Sequence, residues 1–156
     1  MVGRLRGMFA FGLWDADKRT LLLARDPLGI KPLYWADDGW TLRFASQAKA
    51  LLAGGAVARD PDPAGIVGFH LFGSVSEPFT VWRSIQSLPA GTTLTVDATG
   101  PGIPQRYYDV AAALSDRAAP SAARGDARAR VAEAVRDSVR HHLVADVPVA
   151  IFLSAG

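Results

Sequence analysis

The chain has 156 residues and a mass of 16.6 kDa, with 49% hydrophobic, 21% charged and 9% aromatic residues. That is the composition of an ordinary globular domain, and it excludes a disordered tail, a collagen-like repeat and a long coiled coil. Lys and Arg number 17 against 15 Asp and Glu, so the net charge is only +2 although the isoelectric point is 9.3. An excess that small does not suggest the concentrated positive face of a nucleic-acid reader. There is no cysteine, which removes a disulfide framework, a thiolate metal site and a Cys nucleophile from these residues. No apolar run reaches the about 18 residues of a membrane span. The apolar patch Met8 to Leu13 is too short and glycine-interrupted for a signal peptide, whose apolar core runs about 7–15 residues. The expectation is a soluble cytoplasmic protein with no membrane partner.

Met8 to Trp14 is apolar and aromatic, Asp15 to Arg19 is a polar turn, and Thr20 to Ala24 is apolar again, which predicts a β-hairpin. Such continuous apolarity implies strands covered on both faces, or covered by a partner. Arg25 to Ala36 contains two prolines and a glycine and predicts an ordered loop running into a strand. Asp37-Asp38-Gly39 predicts a hairpin turn, with Thr41 to Ala45 as the returning strand. Gln47 to Leu52 predicts a short helix ending at Gly54-Gly55. Pro63 opens a second helix, with Ile66, Val67, Phe69 and Phe72 as its apolar positions. Short strands are expected near Val81-Trp82 and over Thr92 to Val96, separated by the turn Leu88 to Gly91. A second turn spans Thr99 to Pro104. The count to that point is six or seven short strands.

Ala111 to Arg124 is rich in Ala, Ser, Arg and Pro and reads as a linker. Asp126 is placed to cap a helix whose apolar positions Val131, Val135, Val139 and Leu143 recur every four residues. The sequence closes with Val147 to Gly156, an expected buried strand running into a turn of small residues.

Few constellations carry chemistry. Leu153-Ser154-Ala155-Gly156 sits where a strand hands over to a small-residue loop. On spacing alone it reads as a plain turn more readily than as a phosphate loop. Arg25 and Asp26 read as a buried structural pair pinning the Pro-Leu-Gly loop, with a functional pair as the alternative. Asp15 and Asp17 stand beside Lys18-Arg19, a solvated hairpin tip rather than an acid–base pair. His70 lies in an apolar helix. His141 and His142 are neighbours that point apart on a helix. With three His and no Cys, no zinc site is expected. The arginines Arg117, Arg124, Arg128, Arg130, Arg136 and Arg140 are interrupted by Glu133 and Asp137 and lack interleaved aromatics. They read as a solvated face ahead of a nucleic-acid contact.

Taken in order, Gly7 to Asp15, Ala24 to Tyr34, Phe44 to Leu51, Glu77 to Thr80, Leu88 to Gly91, Arg106 to Asp109 and Asp146 to Gly156 resemble the glutamine-hydrolysing asparagine synthetases. The resemblance implies an α+β architecture in three parts. Residues 1–110 would be the later part of a two-sheet antiparallel N-terminal-nucleophile glutaminase domain. Residues 111–125 would be a linker, and 126–156 the first helix and strand of an α/β pyrophosphatase-type synthetase domain. In that family a leading cysteine releases ammonia from glutamine, ATP and Mg²⁺ activate aspartate, and ammonia passes through an internal tunnel shielded from water.

By the same resemblance Leu153, Ser154 and Gly156 match the start of the ATP loop, and Met8 and Ile30 lie near the tunnel. Arg25, Asp26, Gly29 and Pro32 match the loop that braces the glutaminase sheets. The family's cysteine and its glutamine-gripping residues fall upstream of Gly7. The chain alone is therefore expected to be inactive in both half-reactions, with no catalytic residue or metal of its own and no tight hold on ATP or Mg²⁺. Two positions depart from the pattern. Ala155 stands for a glycine, placing a Cβ where backbone approaches phosphate, and Gln47 stands for a glutamate. Both are compatible with an amidotransferase acting on another carboxylate. The remaining alternative is a non-catalytic paralogue or split-enzyme subunit acting through a complementing chain or a second copy. Expected small-molecule partners of the family are glutamine, aspartate and ATP.

Overall fold

The computed structural model describes residues 1–115 and 126–150. Two antiparallel sheets and four helices follow a 3₁₀ turn at Val2–Arg4. The first hairpin joins β1 (Ala10–Asp15) to β2 (Thr20–Arg25), in register from Ala10 opposite Arg25 to Asp15 opposite Thr20. Asp15 Oδ1 accepts the Lys18 N–H at 3.0 Å across the turn, which holds the Asp15 carboxyl below its usual range. The Lys18 amide is the largest cause. A second hairpin joins β3 (Tyr34–Asp37) to β4 (Leu42–Ala45). At its tip the Arg43 guanidinium, and then the Thr41 and Trp40 amides, pull the Asp38 carboxyl down to about 2.

β5 (Gln86–Ser87) adds to the far side of β3, so the second sheet runs β4-β3-β5. β6 (Thr92–Asp97) pairs with β2, and β7 (Gly100–Pro101) and β8 (Gln105–Arg106) pair with β6. The expected strand at Val81-Trp82 is a single bridge between Pro61 and Trp82. The Val81 carbonyl there accepts the Asp62 N–H at 3.0 Å rather than joining a ladder.

Period-two alternation sorts the core into two layers. Leu23, Leu33, Trp35, Leu88 and Leu94 pack between the sheets. Ala36 points the opposite way and joins Leu51, Leu52, Val57 and Ile85 beneath α1 (Ala48–Ala53), with Tyr34 packed against them. Leu23, Leu88 and Leu94 lose all solvent contact, and each such burial contributes about 2 kcal/mol. Gly12 allows the sheets to close: a Cβ there would come 2.6 Å from the Phe44 ring and 3.2 Å from Leu23. β1 and β4 are therefore stacked on the same side of the sandwich, and among the described residues each keeps one unpaired edge.

α2 (Pro63–Phe72) has Pro63 in its first turn, as expected. The structure adds its caps: Asp62 accepts the Ala64 N–H at 2.9 Å, and Gly73 closes the helix at φ +70°. Its apolar residues do not reach the core, however. Ile66, Val67, Phe69 and Phe72 are exposed, and the buried contact is Gly65 against the Thr80 carbonyl.

α3 (Val110–Ser115) makes the first six residues after Asp109 helical, five of them inside the stretch read as linker. Asp109 starts it by accepting the Ala112 N–H. α4 (Ala127–His142) begins after Asp126, whose side chain makes no capping bond. Val147 and Val149 are exposed and residues 147–150 form no strand, so the expected buried strand has no counterpart there. The rest of it, 151–156, lies outside the described residues.

A methyl group at position 65 would sit 1.9 Å from the Thr80 carbonyl oxygen, whereas one at Gly54 meets its nearest neighbour at 3.4 Å. Gly65→Ala is expected to lower unfolding stability by about 2–3 kcal/mol and Gly54→Ala by far less. Urea denaturation followed by tryptophan fluorescence measures both.

Candidate functional site

The most connected polar group is Arg25, at the end of β2. Its parity along the strand turns it inward, and it is 7% exposed. A buried guanidinium is tolerated only if its donors are satisfied. Nε donates to Lys31 O at 2.8 Å and Nη2 to Gly29 O at 2.8 Å. Nη1 serves Leu88 O at 2.6 Å and Ser87 Oγ at 3.1 Å, and forms an ion pair with Glu77. One side chain thus joins β2 of the first sheet to the β5 edge of the second and to the 26–32 loop.

Asp26, 1% exposed, does not pair with Arg25. Its carboxylate turns into its own loop and accepts N–H groups from Leu28 at 3.1 Å, Ile30 at 3.0 Å and Lys31 at 2.9 Å. Its backbone N–H donates to Phe9 O, and its carbonyl accepts from Gly29 and Gly91. The neighbouring charges expected to form one pair are two separate devices folding the same loop. Gly29 (φ +65°) leaves room for the guanidinium: a Cβ would come within 3.0 Å of Arg25 Nη2. Pro32 is half-buried just before the core residue Leu33.

Glu77 is the residue sequence reasoning missed. It lies 52 positions from Arg25, and its second oxygen accepts the Ala90 N–H at 2.9 Å. The available signal was that Glu77 is the first Asp, Glu, Lys or Arg after an uncharged run from Pro63 to Ser76. Tyr107 completes the node from the other side. Its hydroxyl donates to Arg25 O at 2.6 Å, and its backbone N–H donates to Gly91 O. Burial, and then the Asp26 charge, raise the Tyr107 phenol from 10.0 to about 12.

Beside this node lies an open cleft of about 400 Å³, lined by Gly3, Leu5, Arg6, Gly7, Asp26, Pro27, Leu28, Ile30, Tyr107, Tyr108 and His142. Ile30 is part of it and Met8 is not. The last turns of α4 approach it through the exposed Arg6–Asp137 bridge at 2.6 Å, a contact of the kind that contributes little to stability. Gln47 precedes α1 and makes no side-chain capping bond. His70 is exposed, and His141 and His142 each place Nδ1 on a carbonyl of their own helix. Leu153, Ser154 and Gly156 lie outside the described residues. Among the described residues no group of His, Asp or Glu could hold a metal ion, and no helix is long and apolar enough to cross a membrane. Ser87 Oγ accepts from Arg25, with no base in place to activate it. The polar groups of the node are engaged with one another and with backbone, which makes it a structural frame.

Two outcomes follow from the frame. Arg25→Lys, whose single ammonium cannot reproduce the fork, is expected to cost about 2–4 kcal/mol in urea unfolding, and Glu77→Gln less. For Tyr107 the folded-state value lies above the unfolded one. Its contribution is therefore complete below pH 10 and is lost as pH rises towards about 12. Tyr107→Phe should be less sensitive to alkali than the parent when urea midpoints are compared on either side of pH 10.

Comparison with known proteins places this frame. A family model described as a glutamine amidotransferase domain matches residues 1–108. "Asparagine synthetase [glutamine-hydrolyzing] 3" of Bacillus subtilis is 34% identical over 99% of the chain and 24% of its own length. "Putative asparagine synthetase [glutamine-hydrolyzing]" of Mycobacterium tuberculosis is 37% identical over 98% of the chain and 24% of its own. "Asparagine synthetase B [glutamine-hydrolyzing]" of Escherichia coli is 31% identical over 97% and 22%. The chain thus spans about a quarter of the length of the curated relatives it matches. Its antiparallel sheets, and a family match covering well over half its residues, carry one conclusion: the chain belongs to the glutamine amidotransferase domain family.

Proposed function

We propose that these residues form the framing half of a glutaminase unit whose ammonia is used, at the expense of ATP, to amidate a carboxylate. Aspartate is the first candidate acceptor, as the names of the relatives suggest. The observation that carries the proposal is the pair of open edges. β1 and β4 lie over one another at Gly12 and Phe44, each hydrogen-bonded on one side only, with Leu13, Trp14 and Phe44 exposed beside them. Unpaired edges in register on two stacked sheets are a template for further strands in both. A polypeptide carrying the family's leading cysteine would add there. The Arg25 node would then hold the 26–32 loop rigid behind it, as a catalytic constellation needs from its supporting shell.

In the same proposal Ile30 and Met8 border the passage that keeps ammonia from water. Leu153, Ser154 and Gly156 open the loop against the phosphates of ATP, and Mg²⁺ would be held with the nucleotide by residues of the synthetase half. Gln47 and Ala155 support a second acceptor, a carboxylate other than free aspartate.

The thiol is the deciding chemistry. None of the 156 residues is a cysteine, so the chain alone lacks the thiol nucleophile that the family uses on the amide. Ammonia release from glutamine should be undetectable with the purified chain. It should appear when the chain is co-expressed with the Cys-led portion of the B. subtilis relative. Hydrolysis by the chain alone, or a stable but silent complex of the two, would overturn the proposal.

A further inference from the structure

The carboxylate of Glu77 ends in a receptor built by other parts of the chain. One oxygen pairs with Arg25 Nη1, and the other accepts the Ala90 N–H at 2.9 Å. A guanidinium donor beside a backbone amide suits the two oxygens of a carboxylate. The two sides of the contact differ in burial: the Arg25 side chain is 8% exposed and the Glu77 side chain 35%. Among the described residues Arg25 has no second ion pair, because Asp26 directs its oxygens to the amides of Leu28, Ile30 and Lys31. Two cavities touch Glu77. One, of about 340 Å³, passes Arg25, Glu77 and Ser87 between Tyr34, Phe79 and Trp82. The other, of about 210 Å³, is bounded in part by Glu77, Pro89 and Ala90. Small solutes therefore have a way in to the receptor.

We propose that Arg25 Nη1 and the Ala90 amide form a carboxylate-binding site, which Glu77 fills as a tethered ligand. The site takes small monocarboxylates, and acetate above all, because acetate is the group that Glu77 carries beyond its Cβ. A ligand tethered to its own site competes at high effective concentration. The site of the parent chain is therefore full, and one carboxylate latches the 73–79 segment to the 26–32 loop and the Pro89-Ala90 turn. Without that carboxylate Arg25 is a buried cation that has lost its counter-charge, a state that strongly favours a replacement anion. Chloride neutralises a guanidinium but brings no second atom to the Ala90 N–H. A neutral amide of the same shape brings the atoms without the charge. The inference does not rest on the glutaminase assignment.

Titrating acetate into Glu77→Ala at neutral pH, with chloride exchanged to keep ionic strength constant, tests the site. Acetate is expected to bind the variant with a dissociation constant in the millimolar range. At about ten times that constant it should lower the unfolding equilibrium constant about tenfold, read from urea curves. The nuclear magnetic resonances of the Ala90 amide and the Arg25 Nε–H should shift along the same saturable curve. The parent, whose site is filled, should show neither effect, and acetamide should act far more weakly on the variant. The readout survives a largely unfolded Glu77→Ala, because acetate should then refold it over the same concentrations. A variant on which acetate has no saturable effect would overturn the proposal. So would chloride or acetamide matching acetate, or an equal response from the parent, since each marks a general solute effect.

Discussion

A guanidinium removed from water must have its donors met within the fold, and in this chain that requirement ties the architecture together. Arg25 finds five acceptors, and they come from four places: the 26–32 loop, Glu77, β5 and the residue after it. Losing Lys31 O or Gly29 O would orphan a buried donor at a cost of about 1–3 kcal/mol, while Nη1 divides its two N–H groups among the other three. Asp26 does the same with opposite polarity, gathering three amides of its own loop. A stretch with two prolines and one positive-φ glycine, which a hydrophobic pattern leaves undefined, becomes as well determined as the sheets it joins.

Local chemistry was legible where it decided local structure. Both hairpins, the Gly54 stop and the Pro63 start follow directly from residue types, because turn and cap preferences act over a few positions. The two-residue strands β5, β7 and β8 were not legible as elements. They are short because their partners, not their own propensity, select them. The partner of Arg25 was hidden for a related reason. Adjacent opposite charges suggest each other, but neighbours on a strand point to opposite faces, so Arg25 and Asp26 could not meet while both stayed in β geometry. The motif quoted around Glu77 marked the position without revealing what the carboxylate does.

Apolar surface tells the complementary story. The two core clusters are dry, yet Leu13, Trp14 and Phe44 at the sandwich edge, the α2 residues and the Val131–Val135–Val139 stripe of α4 all remain open. Patterning shows that a residue is suited to burial. It does not say which surface will bury it, and for these three groups the covering surface is not part of the described chain. The match over about a quarter of each relative's length agrees with that.

The bonds of the Arg25 node also impose an order in time. They join positions separated by 52, 63 and 82 residues, so they are long-range closures made after large loops have been gathered, the kind of topology that slows folding. On a ribosome the first hairpin emerges well before Glu77, Leu88 and Tyr107. For that interval its arginine is hydrated and its apolar edge is free, a state open to mispairing. The residue that rigidifies the finished protein is therefore desolvated only once Glu77, Leu88 and Tyr107 have all been made, so the node closes late.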